Sequence, residues 1–310
     1  MHVFHRAEDF PQLPFAVVSS GTFDGVHLGH QSILQKVVET AKYHNGQSVI
    51  ITFFPHPRMF FGHELKLLNT LEERVELIAQ LGIDYLLVLP FDSNLANLSA
   101  EEFVQKIYIQ TTCAKKLILG YDHHFGKDRQ GNIDFLKANL SRYSFDLQEI
   151  EAKLIDEITI SSTKIRNALL SGDIETANKY LGRYYTLSGK VIEGDKIGRT
   201  IGYPTANLQI AENYKLIPAD GIYAVWVKIE EKRYGGMLYI GKRPVIDKTP
   251  EMRIEVNIFD FDQNIYGNTI TLEIVSFLRN DEKFTSIEAL QKQLAQDKLN
   301  ALQKLENFTR

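Results

Sequence analysis

Short apolar runs and helical stripes alternate along the first half of the chain. Residues 15–19 predict a strand, followed by a glycine-rich turn and a helix over 28–44. Asn45-Gly46 stops that helix where a left-handed residue is wanted. Apolar runs at 49–54, 85–89, 116–119 and 146–150 predict four more strands, and 71–80 carries helical spacing. Ser99-Ala100-Glu101-Glu102 is a capping box that opens another helix. Strand and helix alternating in this way predict a Rossmann-like α/β domain, with a parallel sheet covered on both faces.

The pattern changes near residues 181–185. Beyond it come β-branched and aromatic runs at 186–192, 222–229, 236–240, 254–259 and 269–277, punctuated by turns such as Glu193-Gly194-Asp195 and Tyr266-Gly267-Asn268. These spacings predict an antiparallel sheet or small barrel. A last helix carries an apolar stripe of Ile287, Leu290, Leu294, Leu302 and Leu305. The expected domains are therefore 1–182 and 183–310.

Composition narrows the class. The 310 residues are 44% apolar and 24% charged, a globular profile that can bury a core without disulfides. The lone cysteine, Cys113, allows no intramolecular disulfide, which fits a cytoplasmic location. The amino-terminal ten residues lack signal-peptide character, and no apolar run approaches the roughly 20 residues that span a bilayer. A net charge of −4 without a long basic block argues against nucleic acid as a partner. Small anions remain suitable ligands, because helix ends and glycine loops bind them locally.

Gly21-Thr22-Phe23-Asp24-Gly25-Val26-His27-Leu28-Gly29-His30 links the first strand to the first helix. In an open α/β sheet that junction lies where ligands bind. His27 and His30 share a face of the first turn, and Gly29 lets a phosphate or base approach the backbone. Two imidazoles beside a helix N-terminus can stabilise charge on a phosphate under attack. Capping or core histidines are the alternative, and a zinc site completed by His123 and His124 is a weaker one. Ser162, Thr163, Lys164 and Arg166 open a further helix and can clamp a departing pyrophosphate, or simply cap it. The segments starting at Gly120 and Phe53 also follow strands, so four segments converge on one sheet edge.

In the second half, Gly189-Lys190 leads through Gly194-Asp195-Lys196 to Gly198-Arg199-Thr200-Ile201-Gly202-Tyr203-Pro204-Thr205-Ala206-Asn207. Glycines and basic side chains between strands suit a phosphate cradle, against the alternative of an ordinary turn. Thr205 and Asn207 point their oxygens to one face of an extended segment and suit Mg²⁺.

His-Leu-Gly-His resembles the signature of the nucleotidyltransferase superfamily, which includes cytidylyltransferases and class I tRNA synthetases. The longer match, GTFDGVHLGHQ with TFFPHP, GYDHHFG and ISSTKIR, resembles the bacterial FMN adenylyltransferase module over nearly all of residues 1–182. That resemblance implies FAD and pyrophosphate made from ATP and FMN, with magnesium. It implies that His27 and His30 hold the ATP phosphates within a loop containing Gly21, Phe23, Asp24 and Gly29. Ser162, Thr163 and Arg166 would follow the same phosphates, and Asp122 would lie on the flavin side. His123-His124 departs from the aromatic-arginine pair that many members have.

From about residue 181 onward, the glycine loop with Pro-Thr-Ala-Asn, Ile254-Glu255-Val256-Asn257 and Phe277-Leu278-Arg279 resemble the riboflavin kinases. That family phosphorylates riboflavin with Mg-ATP on a six-stranded barrel. The resemblance implies Thr205 and Asn207 as metal ligands, Glu255 as general base, Gly189, Lys190, Gly198 and Gly202 near phosphate, and Arg279 near flavin or nucleotide. For Glu255 the alternative is a solvent-facing strand residue, and for Arg279 a surface ion pair. Tyr239, Lys242 and Val245 depart from the usual pattern.

Together the halves predict one chain that turns riboflavin into FMN and FMN into FAD. The competing readings are an enzyme with one active half, another nucleotidyltransferase, and a flavin-binding sensor without turnover.

Overall fold

The computed structural model describes residues 1–151, 154–155, 158–194, 198, 201–245 and 248–307, without side chains at 154–155, 158, 243–245, 248–251 and 307. It forms two compact units, Met1–Ser162 and Thr163–Arg310.

The first unit contains a six-stranded parallel sheet built from β1 (His2–Phe4), β2 (Ala16–Ser20), β3 (Gln47–Phe54), β4 (Tyr85–Pro90), β5 (Ala114–Gly120) and β6 (Asp146–Ile150). Its spatial order is β1-β4-β3-β2-β5-β6. The helices of this unit are α1 (Leu28–Tyr43), α2 (Pro57–Phe60), α3 (Leu71–Gln80), α4 (Ser93–Ala96), α5 (Ala100–Phe103) and α6 (Ile133–Asn139), with a π-helix at Val104–Thr111.

Alternate residues of each strand go to opposite faces. Val17, Ile50, Leu86 and Ile118 join Leu34 and Val37 of α1 and Ile78 of α3 in one core. Val18, Val49, Ile51, Leu87, Leu117 and Leu119 join Phe103, Ile107 and Tyr108 in the other. Both faces are covered, as the continuous apolar runs predict. Helix α1 buries Leu34, Val37, Val38 and Ala41, an i, i+3, i+4, i+7 stripe. The boxes that start α3 and α5 have both bonds in place, on Thr70 with Glu73 and Ser99 with Glu102. Strand β1 lies at the sheet edge beyond β4 and carries too short an apolar run to be read from sequence.

The second unit begins with α7 (Ser162–Leu170, whose first residue belongs to the first unit) and α8 (Ile174–Leu181). The small hairpin β7 (Leu154–Ile155) and β8 (Ile158–Thr159) precedes them. A closed antiparallel barrel follows, made of β9 (Tyr185–Ile192), β10 (Ala206–Gln209), β11 (Gly221–Ile229), β12 (Lys232–Val245), β13 (Lys248–Ile258) and β14 (Thr269–Arg279) in the order β10-β13-β12-β11-β14-β9. Five of these strands are legible as apolar runs; β10 is four residues long and was read only as an extended segment.

Val191, Leu208, Tyr223, Val225, Leu238, Ile240, Val256 and Leu272 are buried on one side of their strands and fill the barrel. Ala224, Met237, Phe259 and Val275 face outward beneath α9 (Ile287–Asn307), packed against Ala301 and Leu305. The expected stripe on α9 needs one correction: Ile287 is exposed, and the buried line runs through Asp297 and Ala301. The charged Asp297 is tolerated there because Arg279 grips it with two nitrogens, at 2.9 and 2.8 Å.

Removing one partner of such a buried pair strands the other's charge. Asp297→Ala is therefore expected to lower the stability of the second unit by about 3 kcal/mol. Trp226 of β11 is the chain's single tryptophan, so its fluorescence during urea unfolding reports on this unit.

Candidate active sites

In the first unit β2, β3 and β4 run outward in one direction from the centre of the sheet, and β5 and β6 in the other. The strand order reverses between β2 and β5, and ligands bind outside the carboxyl ends of the strands at such a point. The loop from Gly21 to His27 stands over that point.

Its backbone is unusual. Phe23, Gly25 and Val26 all have positive φ, at 46°, 88° and 38°. Left-handed Phe and Val are costly, and such strain gathers at functional sites. Buried side chains hold the loop in this form. The Phe23 ring turns back over Gly21 into the core, which leaves only the backbone of Phe23 for a ligand. Asp24 is buried, and its Oδ1 accepts the Leu68 and Asn69 amides at 2.8 and 3.4 Å. The Ser162 hydroxyl donates to the Asp24 carbonyl at 2.9 Å. From below, the fully buried Arg74 donates to Thr22 O at 2.8 Å and Thr52 Oγ1 at 3.1 Å. Arg74 was missed from sequence because it looks like one more charged residue on a helix.

His27 caps α1: its Nδ1 accepts the His30 amide at 3.3 Å. An accepting Nδ1 puts the proton of the neutral ring on Nε2. The two imidazoles stack with centroids 3.6 Å apart, and Phe23 meets His30 edge-on. Gly29 owes part of its role to this stack, since a Cβ there would press on the His27 ring at 3.2 Å. Thr163 and Arg166 follow Ser162 on α7, within the second unit. Asp122 is exposed in the loop after β5, with its carbonyl 2.8 Å from His124 Nδ1. Among the described residues no three His, Cys, Asp or Glu side chains form a metal-holding group.

The second unit gathers a different set. Asn207 of β10 pairs with Glu255 of β13, and Glu255 pairs with Tyr239 of β12. Directly opposed residues share a face, so all three project from the outer wall of the barrel, in the same register as Met237 and Asn257. The Thr205 hydroxyl donates to Glu255 Oε2 at 3.1 Å, and Arg253 Nη1 lies 3.1 Å from Oε1. The carboxylate is thus half-buried and held from both sides, not simply solvated.

Asn257 donates to the Pro204 carbonyl at 2.7 Å and fastens the segment that carries Thr205. Arg253 and Asn257 carry no assigned role in the sequence reading, although period-2 alternation puts both on the face of Glu255. The described glycines of the loop wrap these groups. A Cβ on Gly194 would strike the Asn207 amide, and one on Gly198 would strike the Tyr203 carbonyl. Gly202 has φ 84° and turns the chain between them. Asp195, Lys196, Arg199 and Thr200 lie outside the described residues, as does the side chain of Val245.

Gly189 and Lys190 are rungs of β9. Gly189 permits close approach of Gln209 on β10, and Lys190 pairs with Gln209 two positions from Asn207. Arg279 makes the ion pair that was its alternative, but with a buried partner and with Phe284 near its guanidinium. Tyr239 donates to Asp281 at 3.0 Å; burial, followed by that carboxylate, pushes the phenol up to about 12. Lys242 is exposed on β12.

The parallel sheet in front and the closed barrel behind agree with two family matches in the same order. Residues 11–164 match the FAD synthetase family and residues 181–305 the riboflavin kinase family. The chain belongs to the bifunctional riboflavin kinase/FMN adenylyltransferase family. It is a transferase with both activities, the FAD synthetase part in front and the kinase part behind. It is 38% identical over 287 residues to the bifunctional riboflavin kinase/FMN adenylyltransferase of Buchnera aphidicola subsp. Schizaphis graminum, covering 91% of each chain. The Bacillus subtilis protein described in the same words is 36% identical over 298 residues, covering 94% of this chain and 93% of that one. A solved structure described as a macrolide-efflux protein from Streptococcus pneumoniae superimposes with a TM-score of 0.88 at 34% identity, covering 96% of both chains. Among the described residues no helix is long and apolar enough to cross a membrane.

Proposed function

We propose that the two transfers occur on two separate residue sets of this chain: adenylyl transfer at His27, His30 and the loop before α1, phosphoryl transfer at Thr205, Asn207 and Glu255. The observation that carries the reading is the row in which Thr205, Asn207 and Glu255 come together. Three oxygen-bearing side chains, from β10, β13 and the residue just before β10, converge there, with a carboxylate oriented by a hydroxyl at 3.1 Å.

In the kinase reaction Glu255 would accept the proton of the ribityl hydroxyl as the γ-phosphoryl group passes to it. The Thr205 bond and Arg253 keep the carboxylate in one orientation. Thr205 and Asn207 would hold Mg²⁺, and their oxygens are the hard donors that ion takes. When bound, the ion neutralises phosphate charge. Gly198, Gly202 and Lys190 would border the ATP phosphates.

In the adenylyl transfer a phosphate oxygen of FMN attacks the α-phosphorus of ATP, and pyrophosphate leaves. The amino end of α1 and the Nε2–H of His27 would stabilise the charge that builds there, with His30 beside it. Ser162, Thr163 and Arg166 would follow the departing pyrophosphate. We draw the functional boundary after Gly182, although α7 beyond Ser162 falls within the second unit. ATP, riboflavin and FMN make the protein a cytoplasmic enzyme of small-molecule metabolism, with no role for nucleic acid or membrane.

Incubation of the purified chain with riboflavin, ATP and Mg²⁺, resolved by chromatography, tests both assignments together. FAD is the expected end product. FMN as the only product would contradict the front assignment. No product from riboflavin, with FAD formed from supplied FMN, would contradict the rear one.

A further inference from the structure

One polar cluster at the switch-point edge serves no step described so far. Ser20 ends β2 immediately before Gly21, and His123 stands three residues beyond β5. Tyr108 reaches them from the π-helix. Ser20 Oγ is 2.6 Å from Tyr108 Oη and 3.1 Å from His123 Nε2, and Tyr108 Oη is 3.4 Å from the same nitrogen.

Tyr108 is fully buried and Ser20 nearly so, in the layer where Phe103, Leu119 and Phe125 form the core. Hydroxyls at that depth are costly unless paired, and here they are paired with one another. An apolar trio would fill the same space without that demand. What the polar trio adds is a defined orientation between three separate elements. The π-helix belongs to the same arrangement, since wide turns of this kind are rare and concentrate at functional sites.

The network joins two pieces of the ligand edge. One is the strained phosphate loop, which begins at the residue after Ser20. The other is the loop over residues 120–126, where the His123 amide donates to the Gly120 carbonyl at 3.0 Å and the His123 ring stacks on Phe125. Asp122 and His124 flank His123 and are exposed. With ATP phosphates at the amino end of α1, the second substrate must enter in line with the scissile bond. The loop after β5 is the neighbouring ledge across the switch point.

We infer that Ser20, Tyr108 and His123 are positioning residues that lock the loop after β5 to the phosphate loop and thereby set the affinity of the adenylylation site for FMN. The inference rests on adenylyl transfer at this edge. Burial holds His123 down at about 4, with His124 and Arg129 adding to the effect, and burial pushes Tyr108 above its ordinary value. The network acts by placement.

The test is the rate of FAD formation from FMN and ATP, each varied in turn, for Tyr108→Phe and His123→Phe, with the melting temperature as the control for folding and riboflavin phosphorylation by the same chain as the control for the rear site. The expected result is a KM for FMN raised about tenfold, the magnitude of one lost hydrogen bond to a positioned group. The KM for ATP should stay within about twofold, as should the kinase rate, and the pH–rate profile from 6 to 9 should keep its shape. An unchanged KM for FMN in both variants would overturn the inference. So would equal rises in both KM values together with a lower melting temperature, which mark general loosening, or a displaced pH profile, which marks proton transfer by His123. His27→Ala in parallel tests the underlying assignment alone: full FAD formation by that variant would move the reaction elsewhere, whatever Tyr108→Phe does.

Discussion

His27→Ala is expected to slow FAD formation from FMN by about a hundredfold or more, the cost of losing a preorganised donor at a developing charge. Riboflavin phosphorylation by the same chain should continue at its normal rate. The size of the effect follows from how the ring is held. Its Nδ1 is engaged by the His30 amide, so a neutral His27 donates through Nε2. His30→Ala should cost a similar factor, because His30 packs flat against His27 with centroids 3.6 Å apart. Chromatography of the products with FMN, and separately with riboflavin, as starting flavin reads both outcomes. Equal loss of both activities in a folded variant would contradict the separation of the two sites.

Glu255→Gln is expected to do the reverse, lowering FMN formation from riboflavin by roughly 10²- to 10⁴-fold, the range for loss of a general base. FAD formation from supplied FMN should be unaffected. The amide keeps the shape of the side chain and can still meet Thr205, so the fold and much of the hydrogen bonding survive. What disappears is the capacity to take the hydroxyl proton. A drop of less than tenfold would return Glu255 to the structural role of bracing Thr205 against Arg253.

These contrasts rest on features of unequal legibility in the sequence. The glycine frame, His27 and His30, Thr205 and Asn207, and Glu255 were readable because their spacings are local: one turn of helix, or alternate residues of a strand. The parallel sheet and five of the barrel strands were readable for the same reason, since hydrophobic period reports which face is buried. Strand β10 was not, being four residues long with a mixed pattern. Arg279 illustrates a different limit. Nothing in its sequence neighbourhood names Asp297, eighteen residues away on α9, as the partner that grips its guanidinium.

By itself the sequence determined the order of the two folds and supplied the local residues proposed to carry the chemistry. Only the tertiary structure decided which long-range partners restrain them: Asp24 under the Leu68 and Asn69 amides, Arg74 beneath Thr22, Asn257 on Pro204, and the Ser20–Tyr108–His123 network. The reason is physical. Helix and strand periods are encoded in neighbouring residues, whereas a buried polar group finds its partner wherever packing brings one within about 3 Å, and sequence separation carries no record of that meeting.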